Sequence, residues 1–195
     1  MAINVELESL TTKSRLVSPT YLDRTGEPSV IGSELPMPVA DIILLRAFEG
    51  RSYSVGSVRN FADPLPAAGS IDIAIAWATG VSPRLAVSGL CAGNAVGYLY
   101  EAAVVTGGTP ITAFNVNRNY STTASQSAAL LNPTVTSLGN LLIEQILIGG
   151  EGKKAGGGSV GSPRLFLKPL TTYLFRLTNV NGTAHAAEMV LEWYE

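Results

Sequence analysis

The sequence predicts an all-β protein with about eight strands, arranged as an antiparallel sandwich or barrel, and an extended N-terminal arm. Apolar and polar residues alternate along many short runs, as they do in half-buried strands. Turns rich in Gly, Pro and Asn separate these runs at intervals of about a dozen residues. No stretch carries the apolar stripe that an amphipathic helix needs. We therefore assign residues 1–38 to the arm and residues 39–195 to the β-domain.

The two C-terminal runs are the clearest strands. Residues 173–178 and 188–195 each place their large apolar side chains on one face and their charged ones on the other. Asn181-Gly182 lies between them, and Asn-Gly readily adopts the positive φ of a chain reversal. We expect a closing hairpin, with a buried face made of Tyr173, Phe175, Leu177, Met189, Leu191 and Trp193.

The arm mixes isolated apolar residues with charges, and prolines follow. Only Ile3 to Leu10 alternates like a short strand. An arm of this kind can lie in a groove or add a strand on a partner, and the alternative is a disordered N-terminus. The side chains expected to contact the partner are Ile3, Val5, Leu7, Leu10, Leu16 and Val17.

The domain begins with residues 39–45, which fit a strand or a helix equally well. Strands are then predicted at Ser52–Phe61, Ile71–Trp77, Arg84–Cys91, Val96–Val105, Ile111–Asn117 and Leu141–Ile148. Within them, one face should bury Ile71, Ile73, Ile75, Trp77, Leu85 and Val87. The Ser/Thr/Ala-rich segment 121–131 is predicted as a loop with local helix, and the Gly-rich segment 149–161 as a loop.

The charge pattern excludes several partners. The formal net charge is −2 and only 14% of residues are charged, so no basic face is available to follow a nucleic-acid backbone.

No apolar run approaches the ~20 residues that span a bilayer. The first ten residues lack the features of a signal peptide. A single cysteine, Cys91, excludes an internal disulfide and fits a reducing cytoplasm.

One third of the chain is almost uncharged, because Arg118 is the only charge between Ala102 and Ile143. An exposed sheet usually carries charges that prevent edge pairing, so we expect this region to be covered by copies of the same chain around a symmetry axis. A soluble surface of Thr, Ser and Asn is the alternative. The candidates for contacts between subunits are Phe114, Asn115, Asn117, Arg118 and Tyr120, unless they pack within the chain.

Neither a catalytic site nor a cofactor or metal site is predicted. The only histidine, His185, follows a turn and has no second histidine at a zinc-binding spacing. Cys91 is expected as a buried residue of a strand. The acids Asp63, Asp72 and Glu101 show no spacing that favours a catalytic pair, and the Gly-rich loop lacks the P-loop pattern.

The segment from Leu167 to Tyr173, LKPLTTY, resembles a corner of fibronectin type III domains. In that corner the tyrosine hydroxyl bonds back to nearby backbone and fixes the turn of a β-sandwich. Because the resemblance covers only this segment, it implies the same corner geometry and no common family.

Five short blocks together are similar to a family of virion structural proteins of tailed bacteriophages, found among head and decoration (cement) proteins. The blocks are Ala47–Arg51, Thr112–Asn119, Leu167–Pro169, Tyr173–Asn179 and Glu192–Glu195. The resemblance implies a jelly-roll-like β-sandwich that forms a homotrimer on the outside of the capsid. Its partners would be the major capsid protein, bound by the arm, and its own copies, and it would have no enzymatic activity and no cofactor.

Two other functions remain open from the sequence. The first is a head or tail fibre domain that recognises glycans on the host surface, for which Trp77 or Trp193 would have to be exposed in a groove. The second is a small hydrolase, which would need a pocket joining His185 to an acid and a serine.

Overall fold

The structure is a computed structural model that describes residues 20–22, 28–30, 46–149, 157–158 and 165–195. The chain divides into two compact units, Met1–Ala40 and Asp41–Glu195. In the first unit, β1 (Thr20–Leu22) pairs antiparallel with β2 (Pro28–Val30). The predicted strand at Ile3 to Leu10 and the residues expected to contact a partner lie outside the described residues.

The second unit consists mainly of antiparallel strands. Its first half contains β3 (Ser52–Arg59), β4 (Ser70–Trp77), β5 (Arg84–Cys91), β6 (Ala95–Glu101), β7 (Val104–Thr106), β8 (Thr109–Ile111) and β9 (Phe114–Asn115). Its second half contains β10 (Ser127–Leu131), β11 (Thr134–Ser137), β12 (Asn140–Leu147), β13 (Gly157–Gly158), β14 (Leu165–Phe166), β15 (Tyr173–Asn179) and β16 (Ala187–Tyr194). Residues 46–48 are helical, and Arg118–Tyr120 form a 3₁₀ turn. The prediction of an all-β sandwich is confirmed.

Two sheets form the sandwich. The first has the strand order β12-β6-β15-β4-β10-β8, and the second has the order β13-β5-β16-β3-β9, with β14 also paired to β5. At one side, β12 of the first sheet lies against β5 of the second. Gly89 of β5 is so close to Leu147 of β12 that a Cβ on Gly89 would lie 3.5 Å from the Leu147 side chain. At the other side β3 lies near the segment that leads into β10, because the Tyr53 hydroxyl donates to the Ala124 carbonyl over 3.3 Å. Strands β12 and β9 therefore lie at opposite edges of the sandwich.

The predicted C-terminal hairpin is wrong. Strand β15 lies between β4 and β6 in the first sheet, whereas β16 lies between β3 and β5 in the second. The link between them crosses from sheet to sheet and is held by another loop, because His185 and Leu65 exchange two backbone hydrogen bonds of 2.8 and 3.0 Å. The buried amide of Asn179 adds bonds to the carbonyls of Leu65, Pro66 and Thr183.

Between the sheets lies one apolar core, and the predicted inward faces are confirmed. Ile71, Ile73, Ile75, Trp77, Leu85, Tyr173, Phe175, Leu177, Met189, Leu191 and Trp193 are all buried, and Val87 packs against them half-buried. At the centre, the Trp77 ring meets Trp193 edge-on at 5.7 Å and Tyr173 at 6.3 Å. Tyr53 stacks on the far side of Trp193 at 6.1 Å. Such aromatic pairs contribute about 0.5–1.5 kcal/mol each beyond the burial of their surface.

The first sheet is also covered on part of its outer face. Strands β7 and β11 form a separate pair there, and Val105 and Val135 pack against a small cluster of Ala74, Ala103 and Leu174. This arrangement explains why Leu174 is as fully buried as Tyr173, although successive strand residues point to opposite faces.

Four predicted segments differ from the structure. The first is the predicted Gly-rich loop 149–161, which contains β13, a short strand that pairs with β5. The predicted strand Val96–Val105 ends at Glu101, because Ala102 adopts a positive φ of 61° and turns the chain out of the sheet. The predicted strand Ile111–Asn117 is divided between β8 and β9, which lie in different sheets. The predicted loop 121–131 contains β10, a strand that pairs with β4 and buries Ala129.

The predicted tyrosine corner is confirmed. The Lys168 backbone N–H donates to the Tyr173 hydroxyl over 3.0 Å, and that hydroxyl donates to Glu101 Oε2 over 2.9 Å. Lys168 Nζ completes the group with an ion pair of 2.8 Å to Glu101 Oε1. Burial raises the pKa of Tyr173, and hydrogen bonds from Lys168 and Tyr173 lower the pKa of Glu101.

We expect Tyr173→Phe to lower the free energy of unfolding by about 1–3 kcal/mol, since it leaves the Lys168 N–H without its acceptor and removes the hydrogen bond to Glu101 Oε2. Urea unfolding measures the loss. The matched control is Tyr98→Phe, because the structure shows no hydrogen bond from the Tyr98 hydroxyl to a described residue. A loss from Tyr173→Phe no larger than that of the control would contradict a stabilising corner.

The same variant should show a defined pH dependence. A carboxyl whose pKa is lowered on folding contributes stability above its unfolded pKa, and this stability is lost as the pH falls through the folded value. Glu101 has such a lowered pKa. The difference in unfolding free energy between the wild type and Tyr173→Phe should therefore decrease as the pH falls below the ordinary pKa range of a carboxyl group.

Candidate functional site

Among the described residues, no hydrogen bond or ion pair joins any two of the residues considered for catalysis. The His185 ring lies 3.0 Å from the Thr183 hydroxyl, and Cys91 is buried in β5. Each of the three acids has a cationic partner of its own: Asp63 pairs with Arg59, Asp72 with Arg176 and Glu101 with Lys168. Within the described part of the chain, no three His, Cys, Asp or Glu side chains are grouped so that they could hold a metal ion.

The pair Arg176–Asp72 illustrates a structural role for these charges. Arg176 Nε and Nη2 donate to the two Asp72 oxygens over 2.8 and 2.7 Å, which is a bidentate contact between the neighbouring strands β15 and β4. The hydrogen bond to Asp72 raises the pKa of Arg176. The pair therefore joins two central strands on the outer face of the first sheet.

Both tryptophans lie in the core, as predicted. Trp77 is 2% exposed and Trp193 is 3% exposed. A glycan that stacks on a tryptophan would need one of these rings at the surface, so the structure does not offer the feature that the glycan-binding alternative requires.

The five candidates for contacts between subunits fall into two groups. Asn115 is 1% exposed, and its amide donates to the Gly50 carbonyl over 2.7 Å, so its prediction as an inter-subunit residue is wrong. Asn117 donates to the Ala47 carbonyl over 3.0 Å, and Arg118 donates to the Asn115 carbonyl over 3.3 Å. Asn115 and Asn117 therefore fasten the β9 segment to residues 47–50 of the same chain, and Arg118 joins the 3₁₀ turn to β9.

The other two candidates, Phe114 and Tyr120, are exposed to 51% and 44%. Gly50 is required beside them, because it has a φ of +69° and a Cβ there would lie 2.4 Å from the Tyr120 ring. Together with the exposed ring of Phe48, these side chains form an apolar surface at the β9 edge of the second sheet. We call Phe48, Phe114 and Tyr120 the β9 patch.

A larger apolar surface lies along β12 at the opposite edge of the sandwich. It comprises Val104, Leu138, Leu141, Leu142, Ile146 and Ile148, which are exposed to between 37% and 78%. We call these six residues the β12 strip. The sequence predicts a strongly apolar strand at Leu141–Ile148, and the structure adds that four of its six apolar side chains are exposed.

The pairing of β12 with β6 explains this division. Leu147 pairs with the buried Ala95, and Ile143 pairs with the buried Leu99, so both face the core. Ile146 pairs with Val96 and therefore points outward. A strand that is apolar on both faces is typical of sheets covered on both sides. Among the described residues, β6 is the only strand that pairs with β12, so its other edge faces no described strand.

The β12 strip has few charges around it. Glu144 is the one charged residue between Asn140 and Ile148, and no Lys or Pro protects the edge. Exposed apolar edges without such protection pair with other chains, and a contiguous apolar patch on a soluble domain marks an interaction surface. The strip is therefore the strongest candidate for a functional site in the described structure.

Comparisons with known proteins give no relatives: neither a family model, nor a curated protein, nor a solved structure matches the chain. A search of the described residues for a helix that is long and apolar enough to cross a membrane finds none.

Proposed function

We propose that the protein is a virion structural protein that binds the outside of a bacteriophage capsid as a homotrimer and stabilises or decorates it. The observation that carries the proposal is the presence of two different apolar surfaces with few charges, the β12 strip and the β9 patch, at opposite edges of the sandwich. The role is non-enzymatic, because such a protein adds buried contacts between capsid subunits and performs no reaction.

The placement of the two surfaces favours a closed ring of subunits. A two-fold dimer places the same patch of both subunits against each other, whereas a head-to-tail contact joins two different patches and forms a ring where the rotation closes. The β12 strip of one copy would contact the β9 patch of the next. The low charge of residues 102–143 supports this arrangement, since charges are depleted at the cores of interfaces.

A jelly-roll topology is part of the same proposal. The last strand, β16, lies between β3 and β5, and the preceding strand, β15, lies between β4 and β6. Strands β3 to β6 alternate between the two sheets, as strands do in a double-sheet jelly roll, whereas β6, β12 and β15 all lie in the first sheet. Viral capsid proteins use this architecture, and lectins also use it, so the fold supports the proposal only by analogy.

The first test concerns the trimer. Light scattering should give a mass three times that of the 20.4 kDa chain. The double variant Leu142→Lys/Ile146→Lys should be monomeric, because burying each apolar side chain contributes about 1.5–3 kcal/mol and the loss of two weakens association by more than about 100-fold.

The control for this test is Val58→Lys, because Val58 is 62% exposed on a strand but lies in the second sheet, outside both apolar surfaces. It should remain trimeric. A monomeric wild type would refute the assembly, and a trimer that survives the double variant would refute the role of the β12 strip.

The second test concerns the arm. Deleting residues 1–38 should leave a domain that folds and forms trimers, since the sandwich core lies within Asp41–Glu195, but the truncated protein should no longer bind capsid shells that lack the protein. Co-sedimentation with such shells measures binding. Normal binding by the truncated protein would show that the arm is not the capsid-binding element.

A further inference from the structure

We propose that the outer face of the second sheet contains a binding site for a small apolar molecule that carries one negative charge. The site is a cavity of about 160 Å³ whose side chains include Ser52, Arg84, Ala86, Val116, Glu192 and Tyr194. Neither the β12 strip nor the trimer is needed for this proposal.

The strand register builds the site. Tyr194 of β16 pairs with Ser52 on one side and with Arg84 on the other, so three polar side chains form a row across three neighbouring strands. In the next row Glu192 pairs with Ala86, whose small side chain leaves space above the sheet. Val116 extends the apolar lining beyond the sheet. The result is an apolar concavity with a few polar groups, as ligand sites generally are.

Two polar atoms in this row are buried and have no hydrogen-bond partner among the described residues. They are Ser52 Oγ and Arg84 Nε. Buried polar groups in folded proteins nearly always have a partner, and an unpaired one requires an explanation. Both groups can donate a hydrogen bond, so a ligand that offers an acceptor on this side of the cavity would satisfy them.

The charge of Arg84 points to an anion. Arg46, Arg59 and Arg176 each form an ion pair with a carboxylate, whereas Arg84 has no carboxylate within ion-pair distance among the described residues. Its Nη1 donates to the Tyr194 hydroxyl over 3.1 Å, and its guanidinium lies 5.1 Å from the centre of the Phe166 ring. The side chain is therefore held in place and half-buried, and no carboxylate of a described residue forms an ion pair with it.

The surroundings limit the ligand further. Because Ala86 and Val116 line the cavity, the body of the ligand should be apolar. Glu192 also lines the cavity and would repel a second negative charge. A carboxylate or sulfonate with one charge fits this combination, whereas a doubly charged phosphate does not.

The test uses anilinonaphthalene sulfonate, an aromatic molecule with one negative charge, which is titrated into the full-length protein while its fluorescence is followed. We expect one saturable site per chain. Arg84→Gln should weaken binding by about tenfold or more, because it removes a charge-assisted hydrogen bond. Ala86→Leu should abolish binding by filling the cavity, and Glu192→Gln should strengthen it. The neutral analogue phenylnaphthylamine should bind at least about tenfold more weakly than the sulfonate.

The control is Phe61→Ser. Phe61 is 87% exposed and lines a separate open groove on the same side of the second sheet, where an apolar dye could also adhere. This variant should leave the affinity unchanged. The proposal is overturned if no saturable site exists, if Phe61→Ser removes the signal, or if Arg84→Gln and Ala86→Leu both bind normally. Should Arg84→Gln fail to fold, Ala86→Leu and Glu192→Gln decide the question alone.

Discussion

The contact between Trp77 and Trp193 at the centre of the sandwich is the interaction on which the rest of the structure depends. It joins β4 of one sheet to β16 of the other, and Tyr173 and Tyr53 extend it on either side. The last two strands of the chain are therefore central strands of the two sheets. Neither sheet is complete until β15 and β16 have taken their central positions. Most stabilising contacts therefore join residues that are distant in sequence, and β-proteins with such contacts fold slowly.

The sequence predicts the strands and their buried faces because both depend on local alternation. In the strands that contain Ile73 and Leu191, large apolar side chains recur at every second residue. The structure buries both residues. The tyrosine corner at Tyr173 is also local, since its backbone partner, Lys168, lies five residues away. These features require no knowledge of which strands are neighbours.

Strand pairing could not be predicted in the same way. The Asn-Gly sequence at Asn181 permits a hairpin, but the buried side chain of Asn179 and the backbone of Leu65 hold the link in a crossing between sheets. Those partners are more than a hundred residues apart in sequence. Strand β10 was not predicted, because its small residues have weak strand propensity. Its pairing with β4 provides the stability that its own sequence lacks.

The candidate surface was predictable only in part. The apolar run around Ile146 indicates a strand that is covered on both sides, and the low charge of the preceding residues indicates an interface, but neither signal tells which side chains point outward. For Asn115 the prediction of an exposed side chain is wrong. Its place in an uncharged segment suggested a contact between subunits, whereas its buried amide donates a hydrogen bond to the Gly50 carbonyl. No sequence signal shows that Arg84 lacks a carboxylate partner among the described residues, because an ion pair is visible only in three dimensions.

The proposed capsid-binding role requires the protein to be part of a virion. The most direct measurement is its distribution in a density gradient of lysate from infected cells, quantified by mass spectrometry against the major capsid protein. We expect the protein to band with DNA-filled particles at a constant ratio to the major capsid protein and to stay bound after washing. A protein that remains at the top of the gradient, free of particles, would contradict it.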